Sequence, residues 1–307
     1  MATTHQAVDF LVASGEVLPG SSRLGPEVEI DRATVDEEAG PGAVSWVSDR
    51  GVAAKPERVT AYRGSLLVTP SDLSEKGVDS GVTVVPAARP KLAFSRLLEW
   101  LFAELIDAGW PEAGEGPISS DAVMGEGVHL APGVVIGRGV VLGDNVRIGP
   151  NSGIAHSTID DNVEIGANCS IGLPGFGYDR APDGSLVRFP HIGRVHIGRG
   201  ASIGSNTCID RGSLGTTVIE PGAKVDNLVH IAHNVVIGSG SLVIAHAMIG
   251  GSTIVESGAW VAPSAAVIDN VRVGADAVVG MGAVVTKGVE PGATVVGNPA
   301  RPLPPRG

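Results

Sequence analysis

From Ile219 the chain carries an aliphatic residue at every sixth position without a break: Val225, Ile231, Ile237, Val243, Ile249, Val255, Val261, Val267, Val273, Val279 and Val285. The next residue is usually small or acidic (Asp226, Ala232, Gly238, Gly250), and the residue four places on is mostly small or β-branched (Ala223, Val229, Val235, Ala259, Ala265). A period of six fits neither an α-helix nor an alternating strand, so it has to be read as a solenoid before any local assignment. Each hexad supplies one short strand and a corner, and three hexads close a triangular coil. The reading is a left-handed parallel β-helix in which first and fifth positions point inward and stack in columns. Its interior is filled with aliphatic side chains, so chemistry has to sit outside, at corners or between subunits. One coil cannot bury its inner face alone, and stability comes from stacking.

The repeat divides the chain. Residues 1–112 show no regular hexads; apolar runs at Ala43–Val47, Ser65–Val68 and Val82–Val85 alternate with turn residues and predict a small α/β domain. A connecting helix opens at Pro90, with Phe94, Leu97, Leu98, Leu101, Phe102 and Leu105 on one face and a stop at Gly109. The β-helix domain is assigned to residues 113–298. Its early hexads run from Ile118 to Ile154 and slip by one residue to Ile159. The frame is lost over an excursion loop, 173–194, rich in Gly, Pro, aromatic and charged residues. Residues 299–307 form a short extended tail.

Composition narrows the function classes. With 44 glycines among 307 residues and 4% aromatics, the chain suits tight corners rather than a ring-filled core. A net charge of −11 opposes nucleic-acid binding. Cys169 and Cys208 have neither framework nor metal spacing. Without a signal-like start or a long uncharged apolar run, no integral membrane segment is expected, and the expected location is cytoplasmic.

Among the histidines, His233 is third in its hexad and must point outward near a corner. His246 is fourth and His230 sixth in theirs, also off the interior columns. Gly251 follows His233 by one coil of 18 residues, which stacks it at the strand spacing of about 4.8 Å. A glycine there leaves its N–H open to a reacting carbon.

The run Val225-Asp-Asn-Leu-Val-His-Ile-Ala-His-Asn-Val-Val-Ile-Gly238, with Cys208-Ile-Asp-Arg-Gly212 and Gly175-Phe-Gly-Tyr178 ahead of it, resembles the UDP-3-O-acylglucosamine N-acyltransferase family of lipid A biosynthesis. The resemblance covers most of the chain and implies a homotrimer that N-acylates a nucleotide amino sugar. It makes His233 the general base, since an imidazole can take the proton an attacking amine must lose, and Gly251 the oxyanion donor. It further implies substrate contacts from Phe176, Tyr178, Asp210, Arg211, Asp226, Asn227, Asn234 and His246. Where the family often has an Asn-Gly-His histidine this chain has Asn270, and where it has an Asn-Pro-x-Tyr uracil clamp this chain has Trp46 and the stretch Asp49-Arg-Gly-Val52. No bound cofactor or metal is expected. The co-substrate is the acyl thioester of acyl carrier protein or of coenzyme A, because the ending Val296-Gly-Asn-Pro-Ala-Arg301 resembles coenzyme A-dependent hexapeptide acetyltransferases.

Two other classes compete. A γ-carbonic-anhydrase-like zinc enzyme would use His156, His191 and His196, although His191 falls outside the regular frame. A non-catalytic scaffold would leave the excursion and His233 without purpose.

Overall fold

The computed structural model describes residues 1–34, 40–47, 62, 64–70, 81–106, 109–111 and 116–303. It separates into two compact units, residues 1–106 with 177–190, and residues 107–176 with 191–307.

The first unit holds four parallel strands in the order β1 (Arg32–Ala33), β2 (Ala43–Trp46), β3 (Leu66–Pro70) and β4 (Thr83–Ala87). Helix α1 (Thr4–Ala13) was not anticipated from the strand-and-turn pattern. Its signal is a capping box, in which Gln6 N donates to the Thr3 hydroxyl and the Gln6 side chain accepts from Thr3 N, ahead of buried Ala7, Val8 and Leu11. Helix α2 (Pro90–Leu101) starts on Pro90 as expected and buries Leu92, Phe94, Leu97 and Leu98. It ends earlier than predicted. Phe102, at φ −126°, breaks it, and α3 (Ala103–Ile106) follows with Leu105 exposed. Apolar spacing persists across the break, so periodicity alone could not reveal it.

Part of the excursion is a hairpin, β5 (Tyr178–Arg180) paired antiparallel with β6 (Leu186–Arg188), and it groups with this first unit. Its turn is closed by Ala181 and Ser185 and by Asp183, whose carboxylate accepts from both the N–H and the hydroxyl of Ser185. Phe189, just beyond, packs 6.3 Å from Phe94, which lies 6.4 Å from Trp46, and the Lys91 ammonium sits over the Phe189 ring.

The second unit is the predicted parallel β-solenoid. Short strands stack into three flat faces, here termed A (from Val135–Ile136 to Val284–Val285), B (from Val123–Met124 to Arg272–Val273) and C (from His129–Leu130 to Thr294–Val296). The chain visits C, A and B in turn. First and fifth positions, such as Ile231 and Val235 or Val255 and Ala259, are wholly buried and form one continuous aliphatic core. Burying each Val or Ile side chain among them contributes about 1.5–3 kcal/mol.

The corners have their own rule. Fourth positions turn the chain through the left-handed region, where Asn145, Asn151, Asn206, Asn234 and Asn270 have φ of 57–61° and glycine takes the place at 222, 240, 258 and 282. Asn and Gly tolerate that conformation and most other residues resist it. Leu228 and His246 adopt it as well, at φ 60° and 61°. The one-residue slip between Ile154 and Ile159 is taken up at His156, with φ 45° and its ring against Gly109.

Candidate active site

Strand register fixes what stacks at the corner between faces A and B. Ile209 pairs with Ile231, Ile231 with Ile249, Ile249 with Val267 and Val267 with Val285. The residues two places later therefore form one column: Arg211, His233, Gly251, Asp269 and Lys287. His233 is half-buried on this corner. A Cβ on Gly251 would fall 2.7 Å from its Cε1 and 2.9 Å from its Nε2. No side chain larger than hydrogen fits there without moving the ring.

Asn234 sets the imidazole's tautomer. Its Oδ1 accepts from the Ser213 N–H at 2.9 Å and the Ser213 hydroxyl at 2.7 Å, and lies 3.2 Å from His233 Nδ1. Because a backbone N–H can only donate, the Asn234 amide must present oxygen on this side, and an amide oxygen has no proton to give. Nδ1 therefore carries the hydrogen, which leaves the Nε2 lone pair free to accept one. Asn234 is itself anchored, its N–H donating to the Thr217 hydroxyl at 2.8 Å.

The N–H of Gly251 is open for a related reason. At other corners an acidic side chain in the second position caps the third-position N–H of the next coil, as Glu220 does for Ser239, Asp226 for Ala245 and Glu256 for Ala275. The residue nineteen places before Gly251 is Ala232, which has no acceptor. Among the described residues no side chain caps the Gly251 N–H, while its carbonyl accepts from Asn270 N at 2.9 Å. A neutral acceptor nitrogen and an uncapped amide on adjacent rungs can together take a proton and steady a developing oxyanion.

One rung above His233, Arg211 is 1% exposed, and its Nε donates to the Gly193 carbonyl. Burial, and then the nearby Arg194 charge, pull its pKa down to about 10, so it remains a cation at neutral pH. Its neighbour Asp210 lies 3.8 Å from His230, and a Cβ on Gly175 would meet the Asp210 carboxylate at 2.8 Å. That close approach accounts for a glycine at the start of the Gly-Phe-Gly-Tyr segment. Asn270 is exposed two rungs below Asn234 and bonds Asp269.

Three residues expected near the substrate lie away from the His233 corner. Asp226, Asn227 and His246 occupy the corner between faces C and A, at the opposite edge of face A. Asp226 and Asn227 cap N–H groups of Ala245 and Ser205 there, and His246 is exposed. Phe176 is 85% exposed in the solenoid unit. Trp46 and Tyr178 belong to the first unit, half-buried and exposed respectively. Asp49, with Arg50, Gly51 and Val52, lies outside the described residues.

Sequence reasoning missed Ser213 and Thr217, which hold Asn234, and weighed His191 only as a zinc ligand. In the structure His191 packs against His233 with ring centroids 5.2 Å apart, whereas His196 pairs with Asp160 at 3.0 Å. Among the described residues no group of three or more His, Cys, Asp or Glu is placed to hold a metal ion. Nor is any helix among them long and apolar enough to cross a membrane.

Residues 121–156 match the family of bacterial transferase hexapeptide repeats. A UDP-3-O-acylglucosamine N-acyltransferase of Caulobacter sp. (strain K31) is 37% identical over 287 residues, 87% of this chain and 81% of that one. This chain belongs to the UDP-3-O-acylglucosamine N-acyltransferase family. A second member of that family, from Legionella pneumophila (strain Paris), is 51% identical over 147 residues, 48% of this chain and 43% of its own. Among solved structures, a UDP-N-acetylglucosamine acyltransferase of Bacteroides fragilis superposes with a TM-score of 0.56 at 26% identity, over 61% of this chain and 71% of that one. Another, from Campylobacter jejuni, has a TM-score of 0.51 at 21% identity over 61% and 73%, and shares the fold.

Proposed function

We propose that this chain transfers an acyl group from a phosphopantetheine thioester to the amine of UDP-3-O-acylglucosamine, with His233 as base and Gly251 as oxyanion donor. The observation that carries the reading is the pairing on adjacent rungs of an imidazole with a free Nε2 lone pair and an uncapped backbone N–H.

The neutral amine attacks the thioester carbonyl while Nε2 takes a proton from the nitrogen, and the carbonyl oxygen gains charge beside the Gly251 N–H. Collapse re-forms the carbonyl, breaks the C–S bond and releases the thiolate, which recovers the proton from the His233 imidazolium. The Nδ1 hydrogen bond to Asn234 becomes charge-assisted when the ring is cationic, so it strengthens where the reaction needs it. Met248 on face A and Ile268, one rung below Gly250, are exposed apolar side chains on the rungs around Gly251, and we assign them to the acyl chain.

Asp226 and His246 sit a full hexad away from the His233 corner, up to about 20 Å along an extended chain. A cleft between two copies would let one substrate meet both corners at short range, which favours a homotrimer with shared clefts. The donor is 3-hydroxyacyl-acyl carrier protein, with acyl-coenzyme A as the alternative. Incubating the purified protein with UDP-3-O-acylglucosamine and each donor in turn tests the reading: N-acylated product is expected, and no product with either donor overturns it. Sedimentation at working concentration is expected to give a trimer mass, and a monomer would remove the shared cleft.

A further inference from the structure

His191 lies where the excursion rejoins the solenoid and is only 2% exposed. Its ring meets that of His233 edge to face, with centroids 5.2 Å apart and planes at 64°. The backbone that carries it is tied down on the same loop that orients the base. Ile192 N donates to the Ser213 carbonyl at 2.8 Å, and Gly193 N to the Gly212 carbonyl at 3.0 Å. That strip approaches so closely that a Cβ on Gly193 would fall 1.9 Å from the Gly215 carbonyl oxygen.

These contacts close a cycle. The segment carrying His191 is fixed to Ser213; Ser213 holds the Asn234 amide through its N–H and hydroxyl; Asn234 Oδ1 receives His233 Nδ1–H; and the His233 ring returns to His191. Asn234 and Gly251 restrain the imidazole from two sides, but a single hydrogen bond leaves a ring free to tilt about it. The His191 ring supplies the remaining wall.

We propose that His191 is a positioning residue for the acyl transfer. Its aromatic ring holds the plane of the His233 imidazole so that Nε2 faces the attacking amine. The proposal rests on His233 acting as the base.

A purely structural role would lower stability and leave the rate of folded protein unchanged. Positioning predicts that His191→Ala lowers kcat about 10- to 50-fold, with KM for sugar and thioester within about twofold of wild type, while His191→Phe restores kcat to within about threefold. If the alanine variant does not fold, as judged by thermal unfolding and subunit mass, the comparison is His191→Phe against His191→Leu, with at least a tenfold difference in kcat expected. Unchanged kcat in His191→Ala, a loss confined to KM, or a phenylalanine variant as poor as the alanine or leucine one overturns the proposal. His233→Ala measured alongside separates the two claims. If it stays active the base assignment itself fails; if it is inactive while His191→Ala matches wild type, only the role of His191 falls.

Discussion

His233 and Gly251, eighteen residues apart in the chain, touch on adjacent rungs so closely that a methyl group at Gly251 would overlap the imidazole. Gly251 does not use the left-handed backbone region, so alanine there carries no conformational penalty of its own. Gly251→Ala is therefore expected to fold normally and, because its Cβ displaces the His233 ring while the backbone N–H stays, to lose kcat by about 100-fold or more. Steady-state kinetics on a variant with wild-type thermal unfolding checks this, and full activity would show that the close seat of the imidazole against Gly251 does not matter to the reaction.

Removing the base should cost about 10²- to 10⁴-fold in kcat. His233→Ala leaves the rung's backbone bonds in place, including Ser252 N to the His233 carbonyl, so its unfolding temperature should stay within a few degrees of wild type. A variant that keeps more than a tenth of wild-type kcat would exclude His233 as the proton acceptor.

Asn234 has to be tested without disturbing the corner. Its φ of 61° suits glycine and penalises alanine, so Asn234→Gly is the cleaner substitution. It removes the acceptor shared by Ser213 and Nδ1 and frees the ring to take the other tautomer. We expect kcat to fall about 10- to 100-fold with the protein still folded. A wild-type rate would show that the tautomer is held some other way.

Much of this arrangement was legible in the sequence. The six-residue frame placed His233 outward and its eighteenth successor beneath it, because a solenoid turns sequence distance directly into height. The frame was silent wherever the chain leaves it. His191 follows the excursion, and which corner it meets depends on where that excursion returns; the stretch from Asp210 to Thr217, which includes Ser213, interrupts the hexads. Asp226 and Asn227 lie within seven residues of His233 and read as its neighbours, yet a strand of face A intervenes and leaves them at its other edge. Fourth-position Asn and Gly were visible throughout, but their left-handed backbone explains them only once the corners are drawn.

The acid response of the solenoid should depend partly on Glu256. Its carboxylate accepts from Arg272 and from the Ala275 N–H, and these bonds, the Arg272 one foremost, lower its pKa below the ordinary value. A carboxyl with a depressed folded-state pKa binds fewer protons folded than unfolded, so its contribution is present above the unfolded pKa and is lost as pH falls through the folded one. Thermal melts from pH 7 downward should show a shallower acid decline for Glu256→Gln than for wild type. Parallel curves would mean that the interaction with Arg272 contributes nothing to folding.

The rungs also separate length from chemistry. The spacing between His233 and Gly251 is set by single inter-coil bonds, Ala232 N to the Ile249 carbonyl and Ser252 N to the His233 carbonyl, and by nothing farther along the prism. Whole coils could be gained or lost below Asp269 during evolution without shifting the reacting atoms. One extra coil between His233 and Gly251 would separate them at a stroke, so lineages are free to vary the column's height below Asp269 but not at that joint.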